Sequence, residues 1–162
     1  MTVQFTPGQL RAVASIAPET YRHWKKALPP LRRDRGHSPC FTSGDLLAVA
    51  VVRVLCVDLA IRVSALAALA DALFERCNAS PWAVLERGKL VFDIRHAQLQ
   101  FQAEHANTSG ESAIVAIPLR PIVALLRDQL LAGSESASQQ ELRFPPTPLV
   151  TPSTPTAARS RS

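Results

Sequence analysis

Apolar residues recur every three or four positions through the first half of the chain, and this spacing predicts helices. The stretch Thr6-Pro7-Gly8-Gln9 has the form of a capping box with proline in the first turn, so a helix is predicted to begin there. A second helix is predicted from Pro18 to the pair Pro29-Pro30, after a short turn at residues 15–17. Four residues recur on one side of it and predict its buried face: Ala17, Tyr21, Trp24 and Leu28.

A basic loop and two further helices are predicted next. Residues 31–40 lack helical apolar spacing and contain Gly36, so they are predicted to form a short loop. Thr42-Ser43-Gly44-Asp45 repeats the capping-box pattern and predicts the start of a long apolar helix that continues through Cys56. A shorter helix is predicted from about Ser64 to Phe74.

The spacing of apolar residues changes from helical to alternating near Pro81. Residues 89–96 and 99–104 alternate between apolar and polar side chains, which is typical of half-buried strands, and residues 114–117 predict a third strand. A final amphipathic helix that ends at Gly133 is predicted from five apolar residues: Leu119, Ile122, Val123, Leu126 and Leu130.

These elements predict a mainly α fold class with three parts along the chain. Residues 1–78 are predicted to form a helical domain. Residues 79–133 follow as a small α+β module with the order strand–strand–strand–helix. Residues 134–162 are rich in Pro, Ser and Thr with few apolar side chains, a composition that predicts a disordered tail.

The positive charge of the chain is concentrated in its first quarter. The 162 residues carry 18 basic and 13 acidic side chains, a net charge of +5. Residues 1–40 alone hold seven basic side chains against Glu19 and Asp34, which already amounts to +5. A local excess of this kind is expected of a surface that contacts a polyanion, and the alternative is a solvated basic face without a partner.

Several function classes are not predicted by the sequence. No apolar stretch approaches the roughly 20 residues that span a bilayer, so no membrane segment is expected. No secretory signal is present at the N-terminus, and a cytoplasmic protein with free thiols is expected because three cysteines are widely spaced: Cys40, Cys56 and Cys77. His96 and His105 have no neighbouring ligand cluster, so no metal site is predicted. The sequence contains no nucleophile–base pair and no phosphate-cradling glycine loop. We therefore expect neither enzymatic activity nor a bound cofactor.

Four short stretches and an arginine-rich loop around Gly36 follow one another in a characteristic order; the stretches are Phe5–Leu10, Ala17–Trp24, Phe41–Leu46 and Asp58–Leu69. In these residues the segment 5–74 resembles the MerR family of bacterial transcription regulators. The resemblance implies a winged helix-turn-helix that binds double-stranded DNA, with the second helix in the major groove and the loop as a wing on the phosphates. It also implies a nucleoid-associated protein of the bacterial cytoplasm.

Candidate DNA-binding residues follow from this resemblance and from helix geometry. On the outward side of the second helix they are Thr20, Arg22, His23, Lys25 and Lys26. In the predicted wing they are Arg32, Arg33, Arg35 and His37. Arg22 matches the family's DNA-contacting arginine, which can fork onto a guanine edge or bind a phosphate. Glu19 is expected to favour the helix N-terminus, with acceptance from a cytosine amino group as the alternative.

The chain departs from the family in two places. After Gly36 the family usually continues with an aromatic residue and an arginine, whereas here the stretch His37-Ser38-Pro39-Cys40 follows, so the wing tip is expected to contact DNA differently. The family usually dimerises through a long helix, but no heptad pattern follows Phe74. Residues 82–132 are therefore predicted to form a symmetric dimer, with the last helix as the seam and the strand around Phe101 as the alternative.

Two alternative functions remain open at the level of sequence. One is a protein-interaction module on a helix-turn-helix scaffold, with RNA polymerase or a phage or host factor as its partner. The other is a phage- or plasmid-type excision or architectural protein. Salt-dependent binding to duplex DNA would separate the regulator from the first, and the genomic position of the bound sites would separate it from the second.

Overall fold

The computed structural model of the chain describes residues 3–33, 38–108 and 113–140, with side chains up to Gly133. The N-terminal part is mainly helical, and a three-stranded antiparallel sheet and a long helix follow it. The α-helices are α1 (Pro7–Val13), α2 (Pro18–Ala27), α3 (Ser43–Arg53), α4 (Ala70–Asn78), α5 (Trp82–Leu85) and α6 (Leu119–Gln140). The strands are β1 (Gly88–Asp93), β2 (Gln98–Ala103) and β3 (Val115–Pro118). The remainder of the predicted tail, residues 141–162, lies outside the described residues.

Both predicted capping boxes are confirmed. The Thr6 hydroxyl accepts from the Gln9 amide at 3.2 Å, and the Gln9 side chain accepts from the Thr6 amide at 2.9 Å. The Thr42 hydroxyl accepts from the Asp45 amide at 3.1 Å, and the Asp45 carboxylate accepts from the Thr42 amide at 2.9 Å. Each pair satisfies two donors that a helix start would otherwise leave unpaired, which fixes where α1 and α3 begin.

Four helical stretches between α2 and β1 differ from the prediction. The prolines that end α2 also begin a 3-10 helix, Pro29–Arg33, because proline is compatible with the first turn of a helix. After α3 the chain continues as one π-helical turn, Val54–Asp58, rather than as α-helix through Cys56. The predicted fourth helix begins as a 3-10 helix, Val63–Leu69, before α4. The short helix α5 has no counterpart among the predictions.

The predicted strands are confirmed, and they form a sheet of order β2-β1-β3. Leu90 and Phe92 on the central strand β1 are fully buried. In the register of β1 and β2, Leu90 lies opposite Phe101 and Phe92 lies opposite Leu99. These four side chains therefore share the face of the sheet that packs on the core.

Gly88 at the start of β1 allows a close approach that no other residue would permit. A Cβ atom at this position would lie 2.6 Å from the carbonyl oxygen of Gln102 and would also overlap the Phe101 ring. We expect Gly88→Ala to lower the free energy of unfolding by about 1–3 kcal/mol, since the strands would have to shift to accommodate the methyl group. Urea denaturation would measure this, with Gly133→Ala in α6 as the matched control, because a Cβ atom there would meet nothing within 4 Å. A Gly88→Ala protein as stable as the parent would contradict the close approach.

Helix α6 closes the core and extends further than predicted. Four of its five predicted apolar residues are buried: Leu119, Ile122, Val123 and Leu126. The helix packs against α1, α3 and β1 of the same chain. These side chains are therefore not available as a dimer seam, and that prediction is corrected. The predicted end at Gly133 is also wrong, since the helix continues to Gln140; one glycine costs an exposed helix only about 1 kcal/mol.

The buried side chains of the helical part and of the sheet with α6 form one hydrophobic cluster. It reaches from Phe5 to Leu126 and includes Phe41, Leu47 and Phe92. Within the described residues no helix is long and apolar enough to cross a membrane.

Candidate nucleic-acid interface

Helix α2 is held in one rotational setting by its aromatic side chains. Tyr21 and Trp24 are 5% and 3% exposed, and Leu28 is fully buried. The guanidinium group of Arg11 on α1 lies over the Tyr21 ring, 6.0 Å from its centre. The predicted buried face is confirmed apart from Ala17, which is exposed because it is the N-cap and precedes the helical spacing.

The opposite face of α2 is basic and exposed. Arg22, His23 and Lys26 are exposed, and Thr20 and Lys25 on the flanks are half-buried. The Arg22 guanidinium lies 3.9 Å from the Glu19 carboxylate, and both side chains are about three-quarters exposed. A surface ion pair of this kind is worth little, so Arg22 can exchange Glu19 for another anion at small cost. The five residues predicted on this helix thus share one surface.

Arg32 joins this surface by folding back onto the end of α2. Its Nη2 donates to the carbonyl oxygen of Lys26 at 2.6 Å, and its Nε donates to that of Lys25 at 3.4 Å. These carbonyls belong to the last turn, where acceptors have no partner within the helix and where a cation is favoured by the helix dipole. Four cationic side chains consequently line one surface depression of about 570 Å³: Arg22, Lys25, Lys26 and Arg32.

Arg33 makes different contacts from Arg32. Its Nη2 donates to the Asp45 carboxylate at 2.8 Å, and its Nε donates to the carbonyl oxygen of Pro30 at 3.0 Å. Its side chain is half-exposed, whereas Asp45 is fully buried. Arg33 therefore ties the 3-10 helix to the start of α3 and does not line the depression. The other two predicted wing residues, Arg35 and His37, lie outside the described residues.

A polar cluster surrounds Asp45, and the sequence predicts only its capping-box part. Asn78 at the end of α4 donates to the Asp45 carboxylate at 2.9 Å and accepts from the Thr42 hydroxyl. Gly44 makes room for this contact, because a Cβ there would lie 2.7 Å from the carbonyl oxygen of Cys77. The residues of this cluster are far apart in sequence, so no local pattern announces it. It fixes the start of α3 and, through Arg33, the 3-10 helix that carries Arg32.

The thiols do not add chemistry to this surface. Cys77 is buried, and burial raises its pKa to about 12. Partial burial raises the pKa of Cys56 to about 11. Both thiols are therefore protonated at neutral pH, and the protonated form is a poor nucleophile and metal ligand. In the described parts of the chain no group of three or more His, Cys, Asp or Glu side chains is placed to hold a metal ion.

His96 and His105 lie near opposite ends of β2. His96 lies in the turn between β1 and β2, where its Nδ1 is 2.7 Å from the Asp93 carboxylate. This hydrogen bond holds the pKa of Asp93 below its ordinary value. His105 is exposed beyond the other end of β2.

Comparison with protein-family models, with curated proteins and with solved structures found no match to this chain. The resemblance to the MerR family thus rests on the residues quoted for it.

Proposed function

We propose that this protein is a sequence-specific regulator of transcription that binds double-stranded DNA with α2 as its recognition helix. The observation that carries the proposal is the basic depression at the end of α2, formed by Arg22, Lys25, Lys26 and Arg32. Four cationic side chains on one concave surface favour an anion there, and the phosphate groups of duplex DNA are anions of this kind.

The setting of α2 fits the major groove. The helix has 10 residues and is therefore about 15 Å long, and a groove about 12 Å wide admits one α-helix. Its aromatic face is fixed in the core, so the exposed face with Arg22 and His23 is the one that meets base edges. The lysines and Arg32 lie at the C-terminal end, where contacts to the phosphate backbone would set the register.

The closure of the N-terminal unit supports the same proposal. The Phe5 amide donates to the Phe41 carbonyl at 2.7 Å, and the Phe41 amide donates to the Phe5 carbonyl at 3.1 Å. This isolated bridge joins the two ends of the segment that contains α1, α2 and the basic loop. A winged helix-turn-helix would need its loop anchored beside the recognition helix in this way.

We expect Arg22→Ala to weaken binding to the cognate duplex by roughly ten- to a hundredfold, because a bidentate contact to a base is worth about 1–3 kcal/mol. The fold should not change, since Arg22 is exposed and its ion pair with Glu19 is a surface one. The cognate duplex would first be selected from a random library by the full chain. Fluorescence anisotropy would then compare cognate and scrambled duplexes, with Arg95→Ala in the exposed turn between β1 and β2 as the matched control.

Lys26→Ala separates phosphate contacts from base contacts in the same assay. Loss of one phosphate contact should weaken all duplexes equally and reduce the salt slope of binding by about one. An Arg22→Ala protein that binds its cognate duplex as tightly as the parent would contradict the assignment of Arg22. A full chain without salt-dependent duplex binding would overturn the proposed function and favour a protein-interaction module.

A further inference from the structure

Strand β2 is an outer strand whose far edge is paired by no residue of the described chain. The Glu104 amide donates to the Arg87 carbonyl at 3.2 Å, so this pair is a hydrogen-bonded one in the register of β1 and β2. This shows which residues of β2 form their backbone hydrogen bonds with β1. Because bonding alternates along an antiparallel ladder, the backbone groups of Gln98, Gln100 and Gln102 point toward β1. The amides and carbonyls of Leu99 and Phe101 then point away from the sheet.

This edge lacks the usual protection against pairing. Outer strands are normally blunted by charged side chains, proline, bulges or very short length. The six residues of β2 include no charged residue, proline or glycine: Gln98, Leu99, Gln100, Phe101, Gln102 and Ala103. The opposite edge strand β3 has four residues, ends in Pro118 and runs directly into α6. Only β2 of the two described edges therefore offers a strand that another strand can join.

We propose that β2 pairs antiparallel with β2 of a second copy, about a two-fold axis at Gln100. The stretch Gln-Leu-Gln-Phe-Gln reads almost the same in both directions from this residue. In that register Leu99 exchanges both backbone hydrogen bonds with the partner's Phe101, and the symmetry repeats the exchange. Gln100 then lies opposite the partner's Gln100, with no like charges facing each other.

The side chains of β2 favour a second copy as the occupant. Leu99 and Phe101 lie on the core face of the sheet but are only half-buried, because the core ends at this strand. Pairing places Leu99 beside the partner's Phe101 and Phe101 beside the partner's Leu99. These aliphatic–aromatic contacts extend the core face of the sheet across the two-fold axis. The Arg76 guanidinium lies 4.7 Å from the centre of the Phe101 ring, and the ring also lies against Gly88, where a Cβ atom would overlap it. These contacts fix the ring before association and reduce the entropy that pairing costs.

The interface does not depend on DNA binding, although a two-fold dimer would present two α2 helices to a palindromic site. The test is therefore made without DNA. We expect the full-length protein at tens of micromolar to have twice its chain mass of 17.6 kDa by light scattering. Gln100→Lys places two like charges opposite each other at the axis and should weaken the dimer about tenfold or more. Gln129→Lys on the exposed side of α6 is the charge-matched control and should remain dimeric.

Two further variants locate the contact. A mixture of Gln100→Lys and Gln100→Glu proteins should restore the dimer, since opposite charges then face each other. Oxidation of Gln100→Cys should cross-link two chains, because residues opposite each other at a non-hydrogen-bonded pair lie within disulfide range. Gln98→Cys should not cross-link, since Gln98 lies opposite the partner's Gln102. The parent protein, oxidised in the same way, shows whether its own cysteines cross-link.

A monomeric parent protein would overturn the proposal, and so would a Gln100→Lys protein that is folded and as dimeric as the parent. Mass that grows beyond two chains would also overturn it, because a two-fold contact is closed. The two proposals fail separately. Arg22→Ala tests DNA binding and should leave the dimer intact, whereas Gln100→Lys tests the dimer and leaves the residues of the basic depression unchanged.

Discussion

Replacing Trp24 with alanine should lower the free energy of unfolding by about 3–5 kcal/mol, the cost of removing a large aromatic side chain from a packed core. Trp24 is 3% exposed, and with Tyr21 and Leu28 it attaches α2 to the core. The loss is a large part of the 5–15 kcal/mol that stabilises a typical domain. DNA binding should fall with it, since α2 would no longer be held in place.

Thermal and urea unfolding followed by circular dichroism would measure this effect. His23→Ala is the matched control, because the neighbouring side chain is exposed and its removal should change stability by less than about 0.5 kcal/mol. If Trp24→Ala kept its stability and lost only DNA binding, the rotational setting of α2 would be refuted.

Removal of the Asp45 carboxylate should cost about 2–4 kcal/mol. Loss of the cap accounts for about 1 kcal/mol, and loss of the net stabilisation from the hydrogen bonds that Arg33 and Asn78 donate to a charged acceptor accounts for about 1–3 kcal/mol. Asp45→Asn should cost less than Asp45→Ala, since an amide oxygen can still accept one of these hydrogen bonds.

Trp82 contributes a fluorescence signal from this region, because its Nε1 donates to the carbonyl oxygen of Ser43 at 3.1 Å, beside the cluster. The second tryptophan, Trp24, reports on the packing of α2 in the same measurement. Urea denaturation followed by tryptophan fluorescence would compare both variants with Asp128→Ala, an exposed carboxylate on α6. If the free energy of unfolding of Asp45→Ala were within about 0.5 kcal/mol of the parent's, the hydrogen bonds of the cluster would be no more stabilising than hydration of the same groups.

Sequence reasoning succeeded where the determining contact is local. The capping boxes at Thr6 and Thr42 involve residues three positions apart, so their pattern is visible in the chain. The alternation of β2 and the buried face of α2 likewise depend on near neighbours, whereas β1 is buried at three successive residues, Leu90, Val91 and Phe92, and does not alternate. These contacts were sufficient to predict most helix starts and all three strands.

It failed where the partner is distant in the chain. Arg32 and Arg33 are adjacent and chemically alike, yet one contacts the end of α2 and the other a carboxylate on α3. The apolar face of α6 shows that something buries it, but amphipathic spacing does not say whether that is the same chain or a second copy. The sequence thus predicts which basic residues belong to the candidate surface. That four of their side chains line one depression depends on the fold.

The single core has a consequence for how this chain can vary. Because α6 packs on both α1 and α3, the hydrophobic cluster that also holds Tyr21 and Trp24 of α2 loses part of its interior if the sheet and α6 are removed. Recombination that exchanged the N-terminal part for another would have to supply matching partners for Leu119, Val123 and Leu126. The sheet edge and the basic surface therefore depend on the same free energy of unfolding. A destabilising substitution at one of them reduces the number of destabilising substitutions that the chain can tolerate at the other.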